Sequence, residues 1–269
     1  MNTSLHGRRA LVCGSSQGIG LAAAHELALL GASVTLVARD AGRLEAAAKS
    51  LPSVSGPNSN PLHRWFAADF SKPESVREAV TADLAGHSGL GPYTMLINNT
   101  GGPPGGPITD AKLEEFTAAF AAHLLCNQVL TQALIPAMKE GKFGRIVNII
   151  STSVKAPIAG LGVSNTIRGA VASWAKTMAA ELGPHGITVN NVLPGFTDTE
   201  RLGSLIAARA SKSGASADQV RKDMIGTIPA GRFAAAAEVG GAVAWLCTPA
   251  AAYVNGINLP VDGGRLPAL

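Results

Sequence analysis

The sequence predicts an α/β fold: a doubly wound parallel sheet of about seven strands with helices on both faces. Short runs of Val, Ile and Leu alternate with longer Ala- and Leu-rich segments of helical period. A glycine-rich turn follows the first of these runs directly. The chain has 269 residues and no internal repeat or break in composition. These features are typical of one Rossmann-type domain over residues 1–269.

The predicted strands are apolar along their whole length. Such strands, without polar alternation, favour a parallel sheet that helices cover on both sides. The runs are ALVC at 10–13, VTLVA at 34–38, MLIN at 95–98, RIVNII at 145–150 and ITVNNVL at 187–193.

Two helix starts carry local signals. Ser71 as the cap, Pro73 in the first turn and Glu74 three residues after the cap predict a helix start at this segment. Thr109 and Asp110 predict the start of a long helix toward Met138. A second long helix is expected over 161–182.

Three loops separate these elements. The segment 51–61 is predicted to be a solvated connection without chemistry. The segments 100–107 and 196–231 follow the carboxyl ends of strands, where open α/β sheets bind ligands.

Composition excludes several classes of function. The chain is 46% hydrophobic and 15% charged, which argues against disorder, and we expect a soluble cytoplasmic protein without a membrane span or signal peptide. The net charge of +4 comes without a basic cluster interleaved with aromatic residues, so no nucleic-acid partner is expected. The six histidines and three cysteines lack metal-ligand spacing, and the cysteines are expected to be buried thiols.

The glycine-rich turn predicts a dinucleotide site. Gly14, Gly18 and Gly20 would let the backbone approach a pyrophosphate at the start of a helix, where free N–H groups attract anions. A tight packing turn without a ligand is the alternative. The predicted contacts in this segment are Gly14, Ser15, Ser16, Gln17, Gly18, Ile19 and Gly20.

Arg39 decides the predicted cofactor. It stands about twenty residues after the turn, where this fold meets the adenosine ribose, and its planar fork suits a 2′-phosphate. NADP(H) is therefore preferred and NAD(H) remains possible, because Asp40 follows directly. Ser15 and Ser16 are expected to add hydroxyl contacts to the phosphate. A solvated surface arginine is the alternative for Arg39.

Taken together, these motifs resemble the short-chain dehydrogenase/reductase family over nearly the whole chain. The subgroup most similar in pattern contains the 3-oxoacyl-acyl-carrier-protein reductases, through PGFTDTE, IPAGRF and VNGINLPVDGG. The resemblance implies cofactor contacts at Asp69, Phe70, Asn98, Gly101, Arg168, Pro194, Gly195, Thr197 and Thr199.

The catalytic pattern of that family is incomplete here. The resemblance implies an Asn-Ser-Tyr-Lys tetrad, of which Ser151 matches the serine, with Ser153 as a nearby substitute. The tyrosine register falls on Ser164, the lysine register on Arg168 and the asparagine register on His123. An aliphatic hydroxyl is a much weaker acid than a phenol, and an arginine stays protonated.

His123 has two interpretations. An imidazole titrates near neutrality and could feed protons into the site, or it could be a core histidine satisfied by backbone carbonyls. The remaining tyrosines, Tyr93 and Tyr253, are not expected to replace the missing one.

Two functional hypotheses follow. The first is an NADP(H)-dependent oxidoreductase that reduces a ketone or 3-oxoacyl thioester, or oxidises the alcohol, with Ser151, Ser164 and Arg168 lining the site. The second is a cofactor-binding protein with little or no dehydrogenase activity, acting as a sensor or structural partner. The resemblance further implies a homotetramer or homodimer packed through the two long helices and the C-terminal segment. It also implies a mobile substrate lid at 196–231, for which a solvated helical insert is the alternative.

Overall fold

The computed structural model describes residues 1–56 and 61–268, so residues 57–60 of the predicted surface loop lie outside the described part. Within it, seven strands form one parallel sheet in the order β3-β2-β1-β4-β5-β6-β9. The predicted fold class is therefore confirmed. The strands are β1 Arg9–Cys13, β2 Ser33–Ala38, β3 Arg64–Ala67, β4 Met95–Asn98, β5 Gly144–Ile149, β6 Ile187–Pro194 and β9 Asn258–Val261.

Helices cover both faces of the sheet because every central strand is apolar on both sides. One face packs on α1, α2 and α9, where Val12, Val34 and Ile97 meet Leu27, Leu44 and Val243. The other face packs on α3, α5 and α6 around Leu11, Leu96 and Val189. The helices are α1 Gly18–Leu29, α2 Ala41–Ser50, α3 Pro73–Gly86, α4 Leu113–Phe120, α5 Cys126–Glu140, α6 Gly162–Leu182, α7 Glu200–Ser213, α8 Ala217–Gly226 and α9 Ala236–Cys247.

The predicted start of α3 is confirmed at Pro73 although its cap differs, and the start predicted at Thr109 and Asp110 is wrong. Lys72, not Ser71, is the N-cap of α3. The Ser71 hydroxyl donates to Asp69 Oδ1 at 2.8 Å and does not cap the helix. Thr109 and Asp110 lie in a 3₁₀ turn, and α4 begins only at Leu113.

The helical stretch from Leu113 to Glu140 contains an irregular turn. Residues Ala121–Leu125 form one turn of π-helix between α4 and α5. By length and composition alone this stretch could cross a membrane, whereas the sequence was expected to contain no such stretch. In the fold α5 packs against α3 and carries buried residues, as the core helix of a globular protein does.

The expected lid is a helical hairpin. Its helices α7 and α8 enclose a small apolar cluster of their own, built on Leu202, Ile206, Val220 and Met224. The two-residue strands β7 (Thr197–Asp198) and β8 (Ala234–Ala235) pair at its base. The hairpin therefore joins the sheet through a short two-stranded neck beside the carboxyl end of β6.

Candidate cofactor and active site

The glycine turn between β1 and α1 has the geometry of a backbone cradle. Gly14 and Gly18 have φ of +57° and +61°, a region that side chains disfavour. A Cβ on Gly20 would lie 2.2 Å from the carbonyl oxygen of Gly14. All three positions therefore require glycine, two for conformation and one for space.

Asn99 holds this cradle in place. Its amide donates to the carbonyls of Cys13 and Gly14, at 3.4 and 3.1 Å. The neighbouring Asn98 points into the sheet instead and donates to Asn148 Oδ1 at 2.8 Å. The sequence prediction named Asn98 as the cofactor contact and overlooked Asn99, whose side chain is the one that touches the glycine turn.

The first turn of α1 is open to an anion. Gln17 is its N-cap and makes no side-chain capping hydrogen bond, so the first N–H groups of the helix remain available. A pyrophosphate fits this arrangement, because aligned N–H groups and the helix dipole favour negative charge there. The residues present therefore fit a dinucleotide.

Ser15 does not take part in the way the sequence predicts. Its side chain is fully buried, donates to the carbonyl of Val12 at 2.7 Å and accepts from the Val37 N–H at 3.0 Å. The expected phosphate contact from its hydroxyl is therefore wrong, since the hydroxyl ties β1 to β2. Ser16 is half-buried and Gln17 exposed on the same turn.

Two arginines stand at the adenosine end. Arg39 follows β2, is exposed and makes no hydrogen bond within the described residues. Arg43 donates to Gln17 Oε1 and lies 4.0 Å from Glu200 Oε2 of α7. Sequence reasoning missed Arg43, although Asp40 caps α2 and so brings Arg43 into its first turn, facing the glycine turn.

Asp69 and Phe70 follow β3 on the same side. Hydrogen bonds from Ser71 lower the pKa of Asp69, and Arg39 adds a smaller effect in the same direction, so the carboxylate is charged at neutral pH. The Phe70 side chain is buried in the core beneath and its carbonyl accepts from the Cys126 thiol. Its ring is therefore not available to a cofactor, and only the backbone of Phe70 could make the contact that the resemblance implies.

The segment after β6 closes the cradle from the opposite side. Gly195 allows close passage of the chain, since a Cβ there would lie 2.7 Å from the Asp262 Cα. Thr197 is buried in the neck of the hairpin, while Pro194 and Gly101 remain partly or fully accessible. The Thr199 methyl lies 3.6 Å from the Cβ position of Gly18, so α7 begins directly over the glycine turn.

The two predicted catalytic serines lie beyond β5 and at the start of α6. Ser151 accepts from the Ser153 N–H at 3.1 Å, which leaves its hydroxyl proton free. Ser164 is half-buried in the first turn of α6 and makes no hydrogen bond within the described residues. The Ser153 hydroxyl is buried without a partner.

Arg168 lies one helical turn beyond Ser164 and reaches back to the sheet. Its Nη1 donates to the Ile149 carbonyl at the end of β5, at 2.9 Å. Its Nε is buried without a hydrogen-bond partner. Burial, and after it the charge of Arg201, lowers the pKa of Arg168 to about 10, so the group stays charged at neutral pH.

His123 shares a small polar cavity with Arg168. Its Nδ1 lies 2.6 Å from Thr100 Oγ1, and it also forms a hydrogen bond to the Gly101 backbone. Burial first, and then the Arg168 charge, lowers its pKa to about 2, which favours the buried core histidine over the alternative of a group that titrates near neutrality. The side chain is a neutral link between the π-helical turn and the loop after β4.

The same cavity contains a residue that sequence reasoning missed. Asn127 is buried one helical turn after His123 and lines the cavity together with Asn98 and Asn99. The (i, i+4) spacing from His123 was the signal that could have found it. Asn98 Oδ1 and Arg168 Nε are both buried without a hydrogen-bond partner, and both residues line the cavity. The cavity lining is therefore polar on several sides.

Neither tyrosine stands near these serines. Tyr93 is buried just before β4, at the opposite edge of the sheet, and donates to Asp83 Oδ2 at 2.6 Å. Tyr253 is fully exposed beyond α9. The described residues therefore supply no phenol beside Ser151.

Comparison with known proteins agrees with this geometry. A family model described as enoyl-(acyl carrier protein) reductase matches residues 14–265. The chain is 33% identical to a 3-oxoacyl-[acyl-carrier-protein] reductase of Pseudomonas aeruginosa, covering 97% of this chain and 98% of that protein. The chain belongs to the short-chain dehydrogenase/reductase family. This is a family of NAD(P)-dependent oxidoreductases, and the resemblance drawn from the motifs is confirmed.

Other relatives show the range of chemistry within the family. The chain is 32% identical to gluconate 5-dehydrogenase of Gluconobacter oxydans, covering 97% of this chain and 95% of that protein. The crystal structure of L-sorbose reductase from Gluconobacter frateurii, complexed with NADPH and L-sorbose, matches with a TM-score of 0.90. It has 28% identity and full coverage of both chains. A shared fold thus serves reductases and dehydrogenases of different substrates.

Proposed function

We propose that this short-chain dehydrogenase/reductase uses NADP(H) to reduce a carbonyl group, of the ketone or 3-oxoacyl-thioester type, or to oxidise the corresponding alcohol. The observation that carries the proposal is the placement of Ser151 and Arg168. Both lie at the carboxyl end of β5, on the loop edge of the sheet that also carries the glycine cradle. Ligands of open α/β sheets bind at this edge.

NADP(H) is the proposed cofactor, with NAD(H) possible. The α1 N-terminus would hold the pyrophosphate, and Arg39, Arg43 and Ser16 would hold the 2′-phosphate. Arg39 supports this preference because its guanidinium group is exposed and makes no hydrogen bond within the described residues. When bound, the reduced nicotinamide supplies the hydride.

The chain's own residues orient the substrate and stabilise charge. Ser151 has a free hydroxyl proton to donate to the substrate carbonyl, and Arg168 stays cationic beside it to stabilise a developing alkoxide. Ser164 is too weak an acid to replace a phenol, so the proton that completes the alcohol comes from water through these hydroxyls. His123 positions the loop after β4 and transfers no proton as an imidazolium.

The competing proposal is a cofactor-binding protein without turnover. An assay distinguishes the two proposals. The purified protein is mixed with NADPH and a panel of ketones and 3-oxoacyl thioesters, and the absorbance of NADPH is followed. We expect slow turnover that Ser151→Ala abolishes and that Ser173→Ala, which removes an exposed hydroxyl of α6, leaves unchanged. Cofactor binding without turnover of any substrate would favour the sensor or structural role.

A second candidate reaction is reduction of a carbon–carbon double bond conjugated to a carbonyl. The absent phenol favours it, because hydride addition at the β carbon leaves an enolate that a guanidinium can stabilise, and water can then protonate the α carbon to complete the product. The enoyl reductase description of the matching family model supports the same choice. Including 2-enoyl thioesters in the panel tests it.

We also propose a homodimer or homotetramer, located in the cytoplasm, with 196–231 acting as a lid. Large apolar side chains on the long helical stretch support an assembly, since Leu113, Phe120 and Leu125 are exposed. Sedimentation analysis would measure the assembly, and a monomer at micromolar concentration would contradict it.

A further inference from the structure

Two arginines approach one glycine at the mouth of the site. If Gly102 carried a Cβ, that atom would lie 3.4 Å from Arg201 Nη2 and 3.7 Å from Arg168 Nη2. Arg168 comes from α6 beneath the site, and Arg201 comes from the first turn of α7 in the hairpin. The missing side chain of Gly102 leaves the space beside both guanidinium groups open.

Both guanidinium groups are held in this position by the backbone. Arg168 is 8% exposed and anchored through Nη1 to the Ile149 carbonyl. Arg201 donates from Nη2 to the Pro103 carbonyl at 3.0 Å. Each therefore keeps donor groups that are not used by the protein.

Their charges are not compensated by the protein. Among the described residues neither Arg168 nor Arg201 forms an ion pair, whereas Arg64 pairs with Asp83 and Arg232 with Glu238. Burial is the main cause of the lowered pKa of Arg168, and repulsion by the Arg201 charge adds to it. Such an arrangement is stabilised by an anion between the two groups.

The cofactor's own charges are accounted for elsewhere. The α1 N-terminus fits the pyrophosphate, and Arg39 fits a 2′-phosphate at the far end of the cradle. The family resemblance implies that Arg168 also contacts the cofactor, whose nicotinamide ribose carries no negative charge. With the phosphates held at those positions, an anion at Gly102 would belong to the substrate.

We propose that Arg168 and Arg201 form a carboxylate site over Gly102, so that the preferred substrate is an oxo acid. This inference rests on the proposed reduction of a carbonyl and narrows its substrate class. Two adjacent guanidinium groups can each donate a charge-assisted hydrogen bond to a carboxylate, an interaction that a neutral ketone or thioester cannot match. The overall reaction converts an oxo acid, NADPH and a proton from water into the hydroxy acid and NADP⁺.

Arg201 also connects substrate binding to the hairpin. Because Arg201 belongs to α7, a carboxylate bound by both arginines links the hairpin to α6 and closes the site over the carbonyl. A neutral substrate would lack this link.

The test compares binding of matched acids and ketones. The probes are 2-oxopentanoate, 4-oxopentanoate and 2-pentanone, titrated calorimetrically into the protein alone and into its complex with NADP⁺. The variant is Arg201→Gln, which removes one exposed charge, and the control is Lys212→Gln, an equal charge change on the same helix. NADPH affinity is measured separately for each protein.

We expect at least one oxo acid to bind about tenfold more tightly than 2-pentanone. Arg201→Gln should remove this difference, leave the dissociation constant of NADPH within about twofold, and leave 2-pentanone unaffected. Lys212→Gln should behave as wild type. Arg168→Lys, which keeps the positive charge beside Gly102, should weaken binding of the acid by a smaller factor than Arg201→Gln.

Two results would overturn the inference. One is equal binding of the acids and the ketone, with or without NADP⁺. The other is an Arg201→Gln variant that loses NADPH affinity more than acid affinity, which would assign the arginines to the cofactor. Tight NADPH binding with no acid preference would reject the carboxylate site and leave the proposed reductase intact, whereas absence of NADPH binding would reject the reductase itself.

Discussion

The glycine cradle offers a sharp structural prediction at Gly20. In Gly20→Ala the new methyl would lie 2.2 Å from the Gly14 carbonyl oxygen and 2.8 Å from Asn99 Nδ2. Both atoms belong to the hydrogen-bonded turn, so neither can move away without breaking the Asn99 contacts. Overpacking of this kind costs about 1–3 kcal/mol, which lowers the melting temperature of a domain of this size by roughly 2–10 °C.

The same substitution should weaken NADPH binding at least about tenfold, because relief of the clash must open the cradle. Gly241→Ala is the matched control: it lies within α9, which packs against α1, and its Cβ would meet nothing within 4 Å. That control should stabilise the protein by about 0.5–1 kcal/mol and leave NADPH binding unchanged. Thermal unfolding and fluorescence titration measure both effects. A Gly20→Ala variant with wild-type stability and NADPH affinity would refute the described packing.

Three further predictions address other parts of the chain. Arg39→Ala should raise the dissociation constant of NADPH about 10- to 100-fold and leave that of NADH unchanged; equal effects on both cofactors would contradict a 2′-phosphate contact. Tyr93→Phe should lower the free energy of unfolding, measured in urea, by about 1–3 kcal/mol, since Asp83 loses a buried donor. NADPH affinity should not change, and a loss of affinity would contradict the placement of Tyr93 away from the site. His123 has a pKa of about 2 when folded and an ordinary value near 6.5 when unfolded, so its contribution to stability is present above about pH 6.5 and declines as the pH falls toward 2. His123→Asn should flatten the decline between pH 7 and 5, and a variant with the same pH dependence as wild type would place the cause elsewhere.

Sequence patterns predicted the strands well because their signal is local. Runs such as MLIN and ITVNNVL are buried along their whole length, and their bounds match β4 and β6 to within one residue. Helix starts were less predictable where a capping side chain has a competing partner. Ser71 carries the composition of a cap, but its hydroxyl is bound by Asp69 two residues earlier.

The candidate site residues follow from local registers in the sequence, whereas their electrostatics do not. The registers that identified Ser151, Ser164 and Arg168 are short distances along the chain. The depressed pKa of His123 depends on burial by α6 and on Arg168, which is remote in sequence. Likewise, no local pattern indicates that Arg201 of the hairpin meets Arg168 over Gly102, because three separate segments must fold together to bring them there.

In the proposed reaction, hydride passes from NADPH to the substrate without a phenol in the active site of this chain. The direct measurement is single-turnover reaction of the protein with NADPH deuterated at the transferred position and a panel of oxo acids, ketones and 3-oxoacyl thioesters, followed by mass spectrometry of the products. We expect a product that carries one deuterium on carbon, formed by wild type and by Ser173→Ala but not by Ser151→Ala. Tight NADPH binding with no deuterium in any product would contradict it.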